Sequence, residues 1–173
     1  MKNSKQIKQH LLQATKGFTL IESMVAISVL LLAVTSVLFV VSKSVSFSGV
    51  ARDQITAFYL AQDAIECIKN KRDNNSLAGE SWLGGLGPCM GGTCMIESRN
   101  CGVVSCSGQC PPLKLSEAGI YNYDIGEDTI FRREVEIQEI SPGREATLDV
   151  TLRWKRRLIE RDFTIREHLF NWK

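Results

Sequence analysis

The feature that most constrains this chain is a long apolar run near its beginning. From Phe18 to Val41 the sequence has 24 residues and one charged side chain, that of Glu22. As an α-helix this run would be about 36 Å long, and the hydrocarbon core of a membrane is roughly 30 Å thick. A core helix of a soluble domain would carry a polar face, whereas here only scattered hydroxyl residues interrupt the apolar surface. We therefore predict a single membrane span over residues 18–41.

The charges around this run predict its orientation. Residues 1–17 contain four lysines (Lys2, Lys5, Lys8 and Lys16) and no acidic residue. Because basic flanks stay on the cytoplasmic side, we expect a cytoplasmic N-terminus and a C-terminal head that is periplasmic or extracellular. Residues 18–173 hold 17 basic and 19 acidic side chains, a net charge of −2. This near-neutral part offers no basic surface for nucleic acid, which is not an expected partner.

The residues just before the span do not form an ordinary secretory signal. Such a signal has its apolar stretch before the cleavage site, whereas here the apolar run follows a polar leader. The order at the junction is Lys16, Gly17, Phe18, three uncharged residues and Glu22. This order resembles the type IV prepilin signature. The resemblance implies that residues 1–17 are a leader peptide, that a prepilin peptidase cuts after Gly17, and that the new amino group of Phe18 is methylated.

Glu22 would be the fifth residue of the mature chain, about 6–7 Å along the helix from its new terminus. A carboxylate at the centre of a bilayer costs about 2.5–3.5 kcal/mol, so an acid in a span normally has a partner or a purpose. Its shallow position leaves a plain interfacial acid as an alternative. The resemblance to pilins implies instead that Glu22 pairs with the amino terminus of a neighbouring subunit and sets the axial register of a growing filament.

The helical pattern continues beyond the span. Between residues 42 and 75, apolar side chains recur at helical spacing and form one face: Ala57, Leu60, Ala61, Ala64, Ile65 and Ile68. We predict one helix from Phe18 to about Lys71, which ends within residues 70–75. Its first part, 18–41, would span the membrane and serve polymerisation, and its amphipathic part, 42–75, would pack on the head domain.

The head, residues 76–173, begins with a segment of unusual composition. Residues 76–113 contain 8 of the 13 glycines and five of the six cysteines. This composition predicts a Cys/Gly-rich loop over residues 76–119 with little regular structure. A loop of this length in a compact head needs covalent ties or a function.

The cysteines are candidates for disulfides: Cys67, Cys89, Cys94, Cys101, Cys106 and Cys110. Their density suits an oxidising compartment. A structural metal is the alternative, although no C-x₂-C pair typical of zinc sites occurs, and we expect neither a metal nor a cofactor. Because five cysteines lie in the loop, at least one must pair outside it or stay free. Cys67 is the one partner the rest of the chain offers, and its bond would pin the loop to the helix.

The last part of the chain, residues 120–173, predicts an antiparallel sheet. Leu148, Val150, Leu152 and Trp154 alternate with polar residues, which indicates a half-buried strand. Residues 131–137 and 159–165 repeat this period less regularly, residues 141–144 and 155–157 are the expected turns, and residues 120–125 are a candidate fourth strand. The predicted fold is therefore α+β and pilin-like: a long N-terminal helix whose outer half packs on an antiparallel β-meander.

An enzyme is a poor match to this sequence, and we predict that the chain is not one. Its histidines are His10 in the leader and His168 in the last strand, where we expect a surface position. No Ser/His/Asp arrangement and no phosphate-binding glycine loop is present. The basic residues 155–157 could touch DNA, as in some competence pilins, but three charges in a turn are more often solvated.

The ending of the chain, with Trp154 closing one strand and residues 170–172 ending the last, is similar to minor pilins of the V type and to the minor pseudopilin I of type II secretion. The resemblance implies a structural subunit that primes or caps a type IV pilus or pseudopilus. Its partners would be other pilin or pseudopilin subunits, the prepilin peptidase, an inner-membrane assembly platform and membrane lipid. The competing hypothesis is an uncleaved, single-pass, Cys-rich receptor or adhesin that never polymerises.

Overall fold

The computed structural model describes residues 17–172 of the chain. The predictions for residues 1–16, which include the four leader lysines and His10, lie outside the described residues. The described chain falls into two compact units, one that ends at Gly49 and one that begins at Val50.

In chain order the elements are α1, Leu20–Ala78; a 3₁₀ helix, Gly87–Cys89; β1, Cys94–Ile96; β2, Val103–Ser105; β3, Pro112–Leu115; β4, Tyr121–Asn122; β5, Glu127–Ser141; β6, Glu145–Arg156; and β7, Ile159–Phe170. The predicted α+β class, with a long N-terminal helix followed by an antiparallel sheet, is confirmed.

Helix α1 is longer than the sequence predicted. It continues through residues 70–75 and stops at Ala78, so the prediction of an end within that segment was wrong. Gly79 follows in the left-handed conformation, with φ of 75°. The N–H of Glu80 donates to the carbonyl of Asn75 at 2.9 Å, and the N–H of Gly79 donates to that of Ser76 at 3.3 Å. This pair of bonds is the Schellman motif that glycine favours at the end of a helix.

The predicted apolar face of the outer part of α1 is confirmed. All six residues of the stripe are buried, and they belong to one hydrophobic core together with residues of β1, β3, β5, β6 and β7. At roughly 25 cal/mol per Å² of apolar surface removed from water, burial of this kind is the dominant stabilising contribution to the head. The core therefore forms between the helix residues from Ala57 onward and the sheet.

The predicted meander is present as β5, β6 and β7. These long strands pair in antiparallel order, with Val135 opposite Val150 and Val150 opposite Ile165. The alternation in β6 is confirmed, because Leu148, Val150, Leu152 and Trp154 are buried while the residues between them are partly or fully exposed. The turn at residues 141–144 is also confirmed. The second turn consists of residues 157 and 158 rather than the predicted 155–157, since β6 includes Arg156.

The Cys/Gly-rich segment is more regular than predicted. It contains the 3₁₀ helix and the short strands β1, β2 and β3, so the expectation of little regular structure was wrong. These strands have three or four residues and are held by partners distant in the sequence. The long strand β5 pairs with β3 along its first half and with β1 at Val135. Strand β4, which coincides with part of the predicted fourth strand, pairs with β3.

Candidate functional site

The residues of the predicted cleavage junction lie just before α1. Gly17, Phe18 and Thr19 precede the first helical residue, Leu20. The hydroxyl of Thr19 accepts a hydrogen bond from the N–H of Glu22 at 3.3 Å, and its carbonyl accepts one from the N–H of Ser23 at 3.1 Å. Thr19 is therefore the N-cap of the helix. A threonine followed three residues later by a glutamate is also the spacing of a capping box, which explains why the helix begins here.

Glu22 lies in the first turn of α1 and is exposed. Its carboxylate has no hydrogen bond or ion pair with any residue between Gly17 and Trp172. The partial positive charge of the helix N-terminus favours an acid at this position. The N-terminus of α1 therefore favours the negative charge of Glu22, but no group of the described chain pairs with that charge.

The helical surface around Glu22 is mostly apolar and is interrupted only by hydroxyl side chains as far as Val41. Every residue from Phe18 to Val45 is exposed, including Phe18 at 79%. The helix is long and apolar enough to cross a membrane. The hydroxyls of Ser28 and Thr35 each donate to a backbone carbonyl four residues earlier, at 2.8 Å. Since these polar groups are satisfied within the helix, its surface can face lipid or other apolar helices.

The cysteines of the described chain are all paired. The disulfides are Cys67–Cys101, Cys89–Cys94 and Cys106–Cys110. The expectation of disulfides is confirmed, and Cys67 on the helix does form the bond that ties the loop to α1. All six sulfur atoms are used in these bonds. Among residues 17–172, no group of three or more His, Cys, Asp or Glu is arranged to hold a metal ion.

The most deeply buried charge among the described residues belongs to Arg133 in β5, which was not among the residues predicted from the sequence. Its side chain is fully buried. One terminal nitrogen donates to the carbonyl of Leu60 at 2.7 Å and to the carboxylate of Asp63 at 2.8 Å. The other donates to the carbonyl of Ile96 at 2.5 Å and to the hydroxyl of Ser98 at 3.2 Å. This arginine therefore links α1, β1 and the loop after β1.

Tyr123 lies beside this arginine, with the guanidinium 6.0 Å from the centre of its ring. Burial raises the pKa of the Tyr123 hydroxyl, and the nearby positive charge of Arg133 offsets part of that effect. A signal for this cluster was present in the sequence. Arg133 occupies an inward position of the alternating pattern between Phe131 and Val135, and an inward arginine requires buried partners.

The basic segment 155–157 is only partly solvated. Arg156 forms a two-pronged ion pair with the buried carboxylate of Asp53 in α1, at 2.5 and 2.9 Å. This contact raises the pKa of the Arg156 side chain. Lys155 and Arg157 remain exposed. One of the three charges thus fastens β6 to the helix rather than facing a partner.

His168 lies on the exposed face of β7, as predicted. Its Nδ1 atom is 2.8 Å from the Glu145 carboxylate on the neighbouring strand. A histidine paired across two strands at the surface is a common feature of sheets and supplies no catalytic arrangement here.

Comparison with known families gives one match. Residues 12–38 match the family described as the prokaryotic N-terminal methylation motif. The matched segment includes Gly17, Phe18 and Glu22, the beginning of α1 and most of the apolar surface. No curated protein and no solved structure matches the chain.

Proposed function

We propose that this chain is a minor subunit of a type IV pilus or of a type II secretion pseudopilus, on the premise that its N-terminal methylation motif indicates prepilin processing of the type IV pilin kind. The pilin-like fold, a long helix followed by an antiparallel sheet, agrees with that premise. Members of this class are structural proteins, and the role we assign to this chain is structural.

The proposal depends most on Glu22. This residue is the one charge between Phe18 and Val41, where the helical surface is exposed and mostly apolar, and it has no partner among the described residues. An unpaired carboxylate is costly when its surroundings become apolar, and an amine of opposite charge beside it offsets part of that cost. Cleavage after Gly17 would create such an amine at Phe18 in every copy of the chain.

Pairing between copies would then couple charge neutralisation to assembly. The amine of one subunit would meet the Glu22 carboxylate of its neighbour while the apolar helices exchange lipid for one another. Because the pair forms at only one axial offset, it would also set the register of the helices. Methylation keeps the positive charge of the Phe18 amine while adding apolar surface beside it.

The location we propose follows from the same segment. The subunit would wait in the inner membrane with residues 1–17 cytoplasmic and the head in the periplasm or outside the cell. After cleavage by the prepilin peptidase, the assembly platform would move it from lipid into the filament. Many major pilins carry a proline in the membrane helix, and residues 18–41 contain none, which supports a minor subunit. As a minor subunit, the chain would lie at the start or tip of the filament.

The experiment compares filament incorporation of Glu22→Ala, Glu22→Gln and a control, Glu66→Gln, which changes an exposed acid on the same helix. Each variant is expressed in cells that assemble filaments, and its amount is measured in the membrane fraction and in sheared filaments. We expect both Glu22 variants to reach the membrane at the wild-type level and to be lost from filaments by at least about tenfold, an effect of roughly 1.4 kcal/mol. The control should be incorporated normally.

Normal incorporation of Glu22→Ala would contradict the proposed role of the carboxylate. If the wild type stays uncleaved and never enters filaments, and if Glu22→Ala behaves as the wild type does, the result would instead support the anchored receptor or adhesin.

A further inference from the structure

A row of three aromatic side chains follows the exposed face of β7 to the end of the described chain. His168, Phe170 and Trp172 occupy alternate positions, with ring centres 6.2 Å and then 5.8 Å apart. The first two rings are nearly parallel, at 19°. Trp172 is 79% exposed, which is unusual for the largest apolar side chain. Neither the hydrophobic core nor the proposed role of α1 uses this row.

The row borders an open cleft of ≈ 610 Å³ lined by Arg144, Phe170, Asn171 and Trp172. Two hydrogen bonds fix the walls of the cleft relative to each other. The N–H of Asn171 donates to the carbonyl of Arg144 at 2.9 Å, and the side-chain amide of Asn171 donates to the carbonyl of Gly143 at 2.9 Å. The β5–β6 turn and the residues that follow β7 therefore form one defined surface.

Two polar groups of this cleft have unmet bonding capacity. The Oδ1 atom of Asn171 is buried and has no hydrogen-bond partner within residues 17–172. The exposed guanidinium of Arg144 makes no ion pair with any residue of that range. Because the Asn171 Oδ1 atom is buried, the Arg144 guanidinium is the polar side-chain group of this cleft that a ligand can reach directly.

We propose that this cleft binds an acidic sugar. The apolar face of a pyranose ring would stack on Trp172, and the carboxylate of the sugar would pair with the Arg144 guanidinium. These two contacts use the exposed ring of Trp172 and a guanidinium that makes no ion pair within residues 17–172. A nucleic acid strand could also stack on the aromatic row, but Arg144 is the one basic residue among the described residues that line the cleft, which suits a single carboxylate better than a chain of phosphates. The site is independent of filament assembly.

The test uses the full mature chain in a detergent without a sugar headgroup. Binding of trigalacturonate and sialyllactose is compared with that of neutral maltotriose and lactose and of a single-stranded oligonucleotide, by ligand-detected NMR. Trp fluorescence gives a second measurement, because Trp82 and Trp154 are buried and Trp172 is the exposed tryptophan. The variants are Trp172→Ala, Arg144→Gln and the control Tyr59→Ala, which removes an exposed aromatic ring from α1.

We expect the acidic sugars to bind more tightly than the neutral ones and to perturb Trp172 fluorescence. Trp172→Ala should lower the affinity at least tenfold, and Arg144→Gln should lower it about tenfold for acidic sugars alone, since a hydrogen bond to a charged group contributes on that order. Tyr59→Ala should bind as the wild type does. The proposal is overturned if no sugar binds, if Trp172→Ala or Arg144→Gln binds acidic sugars unchanged, or if the oligonucleotide is the preferred ligand.

Discussion

Arg133 in β5 and Asp63 in α1 form an ion pair of 2.8 Å across 70 residues of sequence, and the arginine side chain is fully buried. The pair joins the helix to the middle of the sheet. Because the same guanidinium also bonds the carbonyls of Leu60 and Ile96, it holds α1, β1 and β5 in one arrangement. The disulfide Cys67–Cys101 closes one helical turn further along α1, so a covalent and an ionic tie lie side by side.

Replacing Arg133 by methionine should destabilise the head by about 3 kcal/mol. The substitution keeps most of the apolar volume but leaves the carbonyl of Ile96 without this donor and Asp63 without its counter-charge. Urea unfolding followed by the fluorescence of the buried Trp82 and Trp154 measures the loss. Asp63→Asn tests the other half of the pair and should also cost about 3 kcal/mol, because it leaves the buried Arg133 guanidinium without its counter-charge although an amide oxygen can still accept a hydrogen bond. Equal stability of Arg133→Met and the wild type would show that the network contributes nothing.

Two of the three disulfides, Cys67–Cys101 and Cys106–Cys110, should contribute unequally to stability. Cys67–Cys101 encloses a sequence separation of 34 residues, whereas Cys106–Cys110 encloses 4. The loss of chain entropy in the unfolded state predicts about 3.8 kcal/mol for the first bond and about 1.9 kcal/mol for the second. Unfolding of the two double variants, with each cysteine pair changed to alanine, measures both contributions. A larger effect from the Cys106–Cys110 pair would contradict the assignment of Cys67–Cys101 as the main covalent tie.

Acid should weaken the sheet through Asp149. Hydrogen bonds of 2.7 and 2.6 Å from Arg166 hold the pKa of the Asp149 carboxyl below its ordinary value of 3.8. A lowered pKa means that the pair stabilises the fold above pH 3.8 and that this contribution disappears as the pH falls below that value. The stability difference between the wild type and Asp149→Asn should therefore shrink on acidification.

The measurement for this pair is urea unfolding at several pH values on both sides of 3.8. Asp162→Asn, which removes an exposed acid without an ion pair among residues 17–172, serves as the control and should show no such trend. Because the pair is largely exposed, added salt should reduce the Asp149 effect as well. A difference between the wild type and Asp149→Asn that stays constant with pH would refute the assignment.

The parts of the fold that follow a local period could be predicted from the sequence. The buried stripe of α1 has helical spacing, and β6 alternates with period two from Leu148 to Trp154. The strands of the Cys/Gly-rich segment have no such signal. Strand β1 has three residues, and it exists because Val135 of β5 and residues of β2 offer it hydrogen bonds. Pairing between distant short segments cannot be read from periodicity.

The errors at the helix end and in the core have different causes. The polar residues 70–75 suggested a stop, yet the amide of Asn75 is satisfied by the carbonyl of Gly84 at 2.8 Å, a contact made only in the folded chain. Gly79 was the better local signal for the end of α1. Arg133 was detectable as an inward-facing charge, but its partners on α1 and β1 could not be chosen without the three-dimensional structure.

The mass of the intact protein, extracted from membranes of cells that carry a prepilin peptidase, tests the central claim most directly. The account predicts a single species that begins at Phe18 and carries one additional methyl group on its amino terminus, together with the mass loss of six hydrogens for three disulfides. The same protein from cells without the peptidase should retain residues 1–17. A species that still begins with the lysine-rich leader when the peptidase is present would contradict the account.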